Sequence, residues 1–158
     1  MAHRYSAAID GAANVAAGAA YAELIAGATK AISIRSINVT TKTAVGGSIA
    51  LSRSFAIGTG TAAGIATGLP HRSTSAIPAA TARLQSAWSS SPTGYTSKLR
   101  STILPVATGQ SRELWSEEDG PLVVEPGASL LLVNSGSGID GGGLKVNVTW
   151  TEGPASDA

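Results

Sequence analysis

Leu144, Val146, Val148 and Trp150 are apolar, and Lys145, Asn147, Thr149 and Thr151 between and after them are polar. A period of two is what a strand with one buried face requires. A second apolar β run, Ala128–Asn134, precedes it. The two runs flank a nine-residue loop, Ser135–Gly143, rich in Gly and Ser. The C-terminal third, Leu122–Trp150, is thereby committed to β structure, and it carries no residue cluster that suggests chemistry.

Upstream segments read the same way. Ile32 and Ile34 share one parity and Ile37 and Val39 the other, so a β-bulge between Ile34 and Ile37 would bring all four to the core side. Ile49, Leu51, Phe55 and Ile57 share a face opposite Ala50, Ser52, Ser54 and Ala56. Arg53 interrupts the apolar face and is expected at its rim. Gly46-Gly47 is a turn signal, so these two strands are expected to form a hairpin. Residues 11–29 allow two readings. One is an Ala-rich helix over Ala12–Ala28; the other is a loop leading to a strand near Ala20–Ile25. Gly18 and Gly27 and the β character downstream favour the second.

Residues 58–82 hold Gly58, Gly60, Gly64, Gly68, Pro70 and Pro78 among small residues, and read as a long surface loop or arm. Arg83–Trp88 is a short strand with Leu84 and Trp88 inward, or one helical turn. Lys98–Leu104 is a strand stopped by Pro105, and Glu113–Ser116 is short and β-like. Glu117–Pro121 is an acidic turn, and Leu122–Glu125 precedes the Pro126-Gly127 turn. The sum is about eight strands, which predicts an all-β chain: a two-sheet antiparallel β-sandwich with jelly-roll connectivity. The expected organisation is an N-terminal arm over 1–20, a sandwich over 21–152 and a flexible tail over 153–158.

Composition narrows the function. The 158 residues suit one domain, burying roughly 70% of the unfolded surface without staples. Charged residues are 13% of the chain, about half the usual share. A surface so poor in charge is easier to keep soluble when an assembly covers part of it. Net charge is +1, so no basic field points to nucleic acid or membrane. Cysteine is absent, leaving no disulfide framework and no thiol site. Asp10, Asn14 and Glu23 break up the Ala-rich start, so no signal peptide is expected. No apolar run reaches the length of a membrane span.

Motifs for chemistry are weak. Gly58–Gly64 has the glycines of a phosphate loop but not its Gly-Lys-Ser/Thr ending. Gly136–Gly141 resembles a calcium-binding repeat, yet occurs once, and reads as a hairpin loop. Glu117, Glu118 and Asp119 are adjacent carboxylates in a turn and point different ways. His3 and His71 are isolated and lack metal-ligand spacing. No Gly-x-Ser-x-Gly elbow presents a nucleophile. Asn38-Val39-Thr40 and Asn147-Val148-Thr149 match the glycosylation sequon inside predicted strands. Trp88, Trp115 and Trp150 sit in or end apolar β runs, which favours packing over stacking on a ligand. No catalytic residue, metal or cofactor is expected.

Several stretches carry a resemblance. Tyr5-Ser6-Ala7-Ala8-Ile9-Asp10-Gly11 opens the chain, and Tyr21-Ala22-Glu23-Leu24 precedes the strand Ile32–Val39. Ala87-Trp88-Ser89 stands near Pro92. Val124-Glu125-Pro126-Gly127-Ala128-Ser129-Leu130 leads to Trp150-Thr151-Glu152. In these the chain, from Tyr5 to Glu152, resembles the small β-sandwich decoration (cement) proteins of tailed bacteriophages. The resemblance implies a jelly-roll-like structural protein on the outer capsid surface of the virion, often a homotrimer. Its partner would be the major capsid protein, and its task to reinforce the shell. No second, immunoglobulin-like domain is evident, as larger decoration proteins have. The expected contact segments are 1–20 and 58–82, with Arg4, Tyr5, His71 and Arg72 as the residues of sufficient reach. The alternatives are another virion part (tail, baseplate or head fibre) and a carbohydrate-binding β-sandwich module.

Overall fold

The computed structural model describes residues 3–43, 47–61, 64–72, 77–95, 98–104, 106–136 and 143–153. In chain order the strands are β1 (His3–Asp10), β2 (Ala20–Ile25), β3 (Ala31–Thr41) and β4 (Gly47–Ala56). A run of short pieces follows: β5 (Thr59–Gly60), β6 (Ile65–Thr67), β7 (Leu69–Pro70), β8 (Arg83–Gln85), β9 (Trp88–Ser90) and β10 (Thr93–Gly94). Longer strands then resume with β11 (Arg100–Leu104) and β12 (Ser111–Ser116). They are followed by β13 (Val123–Val124), β14 (Ser129–Asn134) and β15 (Leu144–Gly153).

One sheet runs β12-β3-β15-β1-β7, with β13 also on β3. The other runs β10-β4-β14-β2-β8-β6, with β11 also on β4. Eight strands carry the architecture: β1, β2, β3, β4, β11, β12, β14 and β15. Numbered first to eighth, they give first-eighth-third-sixth in one sheet and second-seventh-fourth-fifth in the other. That interleaving, all antiparallel, is the jelly roll expected from the sequence.

The alternation read at the C-terminus holds through Trp150, while Thr151, expected outward, is buried. Leu144, Val146, Val148 and Trp150 are buried, and Lys145 and Asn147 are exposed. The bulge also holds. Ser36 pairs with Thr149 and Ile34 with Trp150, so Arg35 is the extra residue and Ile32, Ile34, Ile37 and Val39 all enter the core. Residues 20–25 form a strand, as the second reading of that stretch expects.

The structure corrects several expectations. First, β3 and β4 do not form a hairpin; they lie in opposite sheets, as do β14 and β15. Turn glycines mark a reversal, but both the loop and the hydrophobic period are equally compatible with a crossing between sheets. The turn residues 44–46 and the loop residues 137–142 lie outside those described. Second, Phe55 and Ile57 are exposed although they share parity with Ile49 and Leu51. Strand β4 runs past the end of the core, where no opposite sheet covers it.

Third, the N-terminus is not an arm. β1 pairs with β15 from His3↔Glu152 to Asp10↔Lys145, so it is integral to the sheet. Fourth, Trp88 is not in the inter-sheet core. It packs on Ala20, Ala50, Leu131 and Val133, on the outer face of the second sheet. Fifth, residues 58–82 are not a free loop. Tyr5 Oη donates to Pro78 O at 2.8 Å, β6 pairs with β8 and β7 with β1. Gly68 lies so close to Trp150 that a Cβ there would stand 2.5 Å from the indole, which is why this position takes glycine. Gly153, expected as the first residue of the tail, still pairs with Ala31; residues 154–158 lie outside those described.

The insertion between β4 and β11 thus adds a thin third layer. The β5–β9 ribbon lies over the outer face of the second sheet, and residues 77–82 plug one end of the sandwich. Arg53, expected at a rim, instead crosses the sandwich and donates to Val123 O.

Candidate functional site

Two buried carboxylates set the position of the inserted segment. Glu23, on β2, is fully buried. It accepts hydrogen bonds from Gln85 Nε2 at 2.8 Å, Trp88 Nε1 at 3.1 Å, Ser129 Oγ at 2.7 Å and the Gly58 amide at 3.3 Å. Glu152, at the end of β15, accepts from the Ala82 amide at 2.8 Å, from Trp150 Nε1 at 3.1 Å, and from Thr81 through its amide at 2.9 Å and hydroxyl at 3.0 Å. No cation faces either group among the described residues. Backbone amides, indoles and an amide side chain hold the charge instead, which is the condition for burying it. The effect is to fasten 58–60 and 81–88 to the sandwich.

With that segment fixed, β7 lies along β1 through the pairs Tyr5↔Pro70 and Ser6↔Leu69. Three of the four contact residues expected from the sequence come together there. His71 donates its amide to Arg4 O at 3.0 Å, and Arg72 follows, exposed. Tyr5 does not join them. It is fully buried beneath the ledge, its ring 6.4 Å from Trp150. Burial, and then the Glu152 carboxylate, raise its phenol above its ordinary value. Tyr5 is a core residue here and no contact residue.

Sequence reasoning missed the groove beside the ledge. It has a volume of about 790 Å³, with Ile65, Leu69 and Pro70 on one wall and Ala8, Asn147 and Val148 on the other. On its floor Ser6 Oγ lies 2.6 Å from His71 Nε2 and 2.9 Å from Thr149 Oγ1. Ser6 and Thr149 are outward positions on neighbouring strands, and only the β1–β15 register makes them partners. The serine and histidine are close enough for proton transfer. Among the described residues, however, no carboxylate bonds the far side of the imidazole to orient it. The arrangement suits recognition of a surface by a few fixed polar groups in an apolar trough. No three His, Asp or Glu side chains gather as metal ligands among the described residues. Among the described residues, no helix is long and apolar enough to cross a membrane.

Around the ledge, Arg4 pairs with Glu117 at 3.0 Å and Arg35 with the same carboxylate at 3.8 Å. The acidic turn 117–119 is therefore an anchor for cations from three strands, since Arg100 also pairs with Asp119 at 2.6 Å. The Arg100 guanidinium, with help from the Ser116 amide, holds the Asp119 carboxyl below its ordinary range. Asp10 is lowered too, chiefly by Lys42 at 3.3 Å and also by Lys145 at 3.5 Å. A carboxyl lowered in the folded state adds stability above its unfolded value, about 3.9, and loses it as pH falls through the folded value. Asp119→Asn should therefore lower Tm slightly at pH 7, and the gap to the parent should close as pH falls through the lowered value of the folded carboxyl. A gap that is constant with pH would remove the assignment. The effect is small because both pairs are exposed.

The other motifs stay unoccupied by chemistry. Gly58 approaches Trp88 and Pro92 too closely for a side chain, which accounts for one glycine of the phosphate-loop-like run; residues 62–63 lie outside those described. Asn38 and Asn147 lie within strands β3 and β15, as expected. Trp150 is core, and Trp115 is half-buried under Arg100, whose guanidinium carbon stands 5.8 Å from its ring centre. Comparison with protein-family models, curated proteins and solved structures returns no match for this chain.

Proposed function

We propose that this chain is a structural protein of a tailed-phage virion, a decoration protein that binds the outer capsid surface as a trimer and reinforces the shell without catalysis. The observation that carries this reading is the ledge. Arg4 and the His71-Arg72 pair, distant in sequence, converge on one exposed strip that the β1–β7 ladder and the buried carboxylates brace. A braced strip presents its contacts with a smaller ordering cost at each binding event. The low charge of the chain and its resemblance to decoration proteins point the same way. On a capsid lattice, modest contacts multiply through many copies.

The partner on this reading is the major capsid protein, met by the ledge and its groove. The test is co-sedimentation of the purified protein with DNA-free shells of the capsid protein encoded in the same genome. Parent protein should saturate at a fixed ratio to the shell lattice. The double variant Arg4→Ala with Arg72→Glu should lose at least tenfold in occupancy while its thermal unfolding changes little, since Arg72 is exposed and the exposed Arg4–Glu117 pair contributes little to stability. Failure of the parent to bind would refute the decoration reading, and equal occupancy of the variant would refute the ledge. Deleting residues 1–10 is not a usable test, because it removes a paired strand.

A further inference from the structure

Strand β1 is bonded along its whole length on one side and along only part of it on the other. The Gly11 amide donates to Leu144 O at 2.8 Å, so the odd-numbered residues of β1 turn their amides and carbonyls to β15. The even-numbered ones face the other way. Arg4 O takes the His71 amide, and Ser6 pairs with Leu69. There β7 ends. Traced backwards, the chain leaves β1 at Gly68, against the Trp150 indole, and turns into β6 of the second sheet. Ala8 and Asp10 are next in the alternation. Both are exposed, and among the described residues no strand pairs with them on that side. Their amides and carbonyls line an open strand edge. Across the gap β6 is open as well. The Ser86 amide donates to Gly64 O at 2.8 Å and Ala66 pairs with Leu84, so Ile65 and Thr67 turn their amides and carbonyls away from β8. The groove of about 790 Å³ lies between the two edges, and a hollow of about 360 Å³ continues it along Ile9 and Asp10. The core is incompletely covered at the same place, since Ile9 and Ala66 pack on it but stay half-buried.

We infer that the groove takes an extended segment of the capsid protein as an added strand, bonded to β1 over residues 7–10 in the line that β7 begins. The inference rests on the capsid-binding reading and specifies what the groove recognises there. Residues directly opposite in a ladder share a face. The side chain opposite Ile9 points inward beside Ala66 and is apolar, completing the cover of the core. Those opposite Ala8 and Asp10 point outward, in line with Asn147 and Lys145, and are polar. Main-chain hydrogen bonds give such a contact its hold, and the alternate side chains give it selectivity. The walls of the groove favour a lone segment over a second copy of this chain. An edge strand of another sandwich brings a neighbouring strand about 4.8 Å behind it, and β6 stands in that space. The slot is also closed at the Ser6 end by β7, which suits a short segment entering from the Asp10 end. A ladder so short holds weakly by itself, and many copies on one shell make up for it.

The test is hydrogen exchange of the full chain, free and bound to DNA-free shells of the capsid protein encoded in the same genome, together with co-sedimentation of Ala8→Pro. In the free protein the Ala8 and Asp10 amides should exchange fast, and those of Ala7 and Ile9, bonded to β15, slowly. On shells the Ala8 and Asp10 amides should slow by at least about tenfold. Proline at position 8 removes a donor that points into the groove and leaves the β15 ladder whole, and an edge position of this kind tolerates it. Ala8→Pro should lose at least about tenfold in occupancy on shells with its thermal unfolding little changed. A parent that sediments with shells while its Ala8 and Asp10 amides still exchange fast overturns the inference and leaves the decoration reading standing. Occupancy of Ala8→Pro equal to that of the parent does the same. A parent that does not sediment overturns the decoration reading, and the inference with it. Should Ala8→Pro fail to fold, exchange in the parent decides alone.

Discussion

Glu23→Ala is expected to destabilise the protein by about 4 kcal/mol, a large part of the stability of a domain this size. The cost comes from the donors left behind. Gln85 Nε2 retains Gly58 O at 3.2 Å, and Ser129 retains Ser54 as a hydroxyl partner. The Trp88 indole and the Gly58 amide retain nothing that the structure provides. Each buried donor without an acceptor costs about 1–3 kcal/mol. The cavity left by the side chain adds to this. Glu23→Gln keeps the volume and one acceptor oxygen but turns an amide group towards other donors, so it should fall between parent and Ala. Urea unfolding of the three proteins measures the series. Hydrogen exchange at the Gly58 amide should quicken first, because the β5–β9 ribbon is what Glu23 fastens. An Ala variant within about 1 kcal/mol of the parent would mean that water replaces the carboxylate at no cost, and the brace would have no energetic role.

Trp150→Ala is expected to cost about 3–5 kcal/mol by loss of packing. The indole is fully buried against Tyr5, fills the space that Gly68 leaves open, and donates to Glu152. Trp150 therefore acts on both sides of the plug formed by residues 77–82. Removing it takes one donor from Glu152 Oε1, which keeps the Ala82 amide, and hollows the seat of Tyr5, whose hydroxyl holds Pro78. Trp150→Phe restores most of the volume but not the N–H, so the difference between parent and Phe reports the hydrogen bond and that between Phe and Ala the packing. Chemical denaturation with an unchanged m-value is the check. If Phe and Ala were equally unstable, the hydrogen bond rather than the packing would dominate at this site.

Both predictions concern residues whose importance lies in partners far along the chain. The alternation of Leu144 to Trp150, the parity change around Arg35 and the strand at 20–25 are local facts. A strand's faces follow from its own residues, and so they are legible in one sequence. All-β character follows from the same signal, but β1, one of the eight main strands, reads as an arm in the sequence. Partnership between strands is not local. Gly46-Gly47 reads equally as a hairpin turn or as a crossing between sheets, and only packing of β4 against β14 chooses the second. Phe55 and Leu51 have the same parity, and whether a sheet lies opposite depends on where the other strands end. The ledge was half legible. Arg4, His71 and Arg72 stood out by reach, but Ser6 and Thr149 became its floor through a register that pairs positions 143 apart. Glu23 and Glu152 carry no sequence mark of burial, since an isolated carboxylate usually stays in water. The tertiary structure decides their place, because only there do enough N–H and O–H donors converge to replace it.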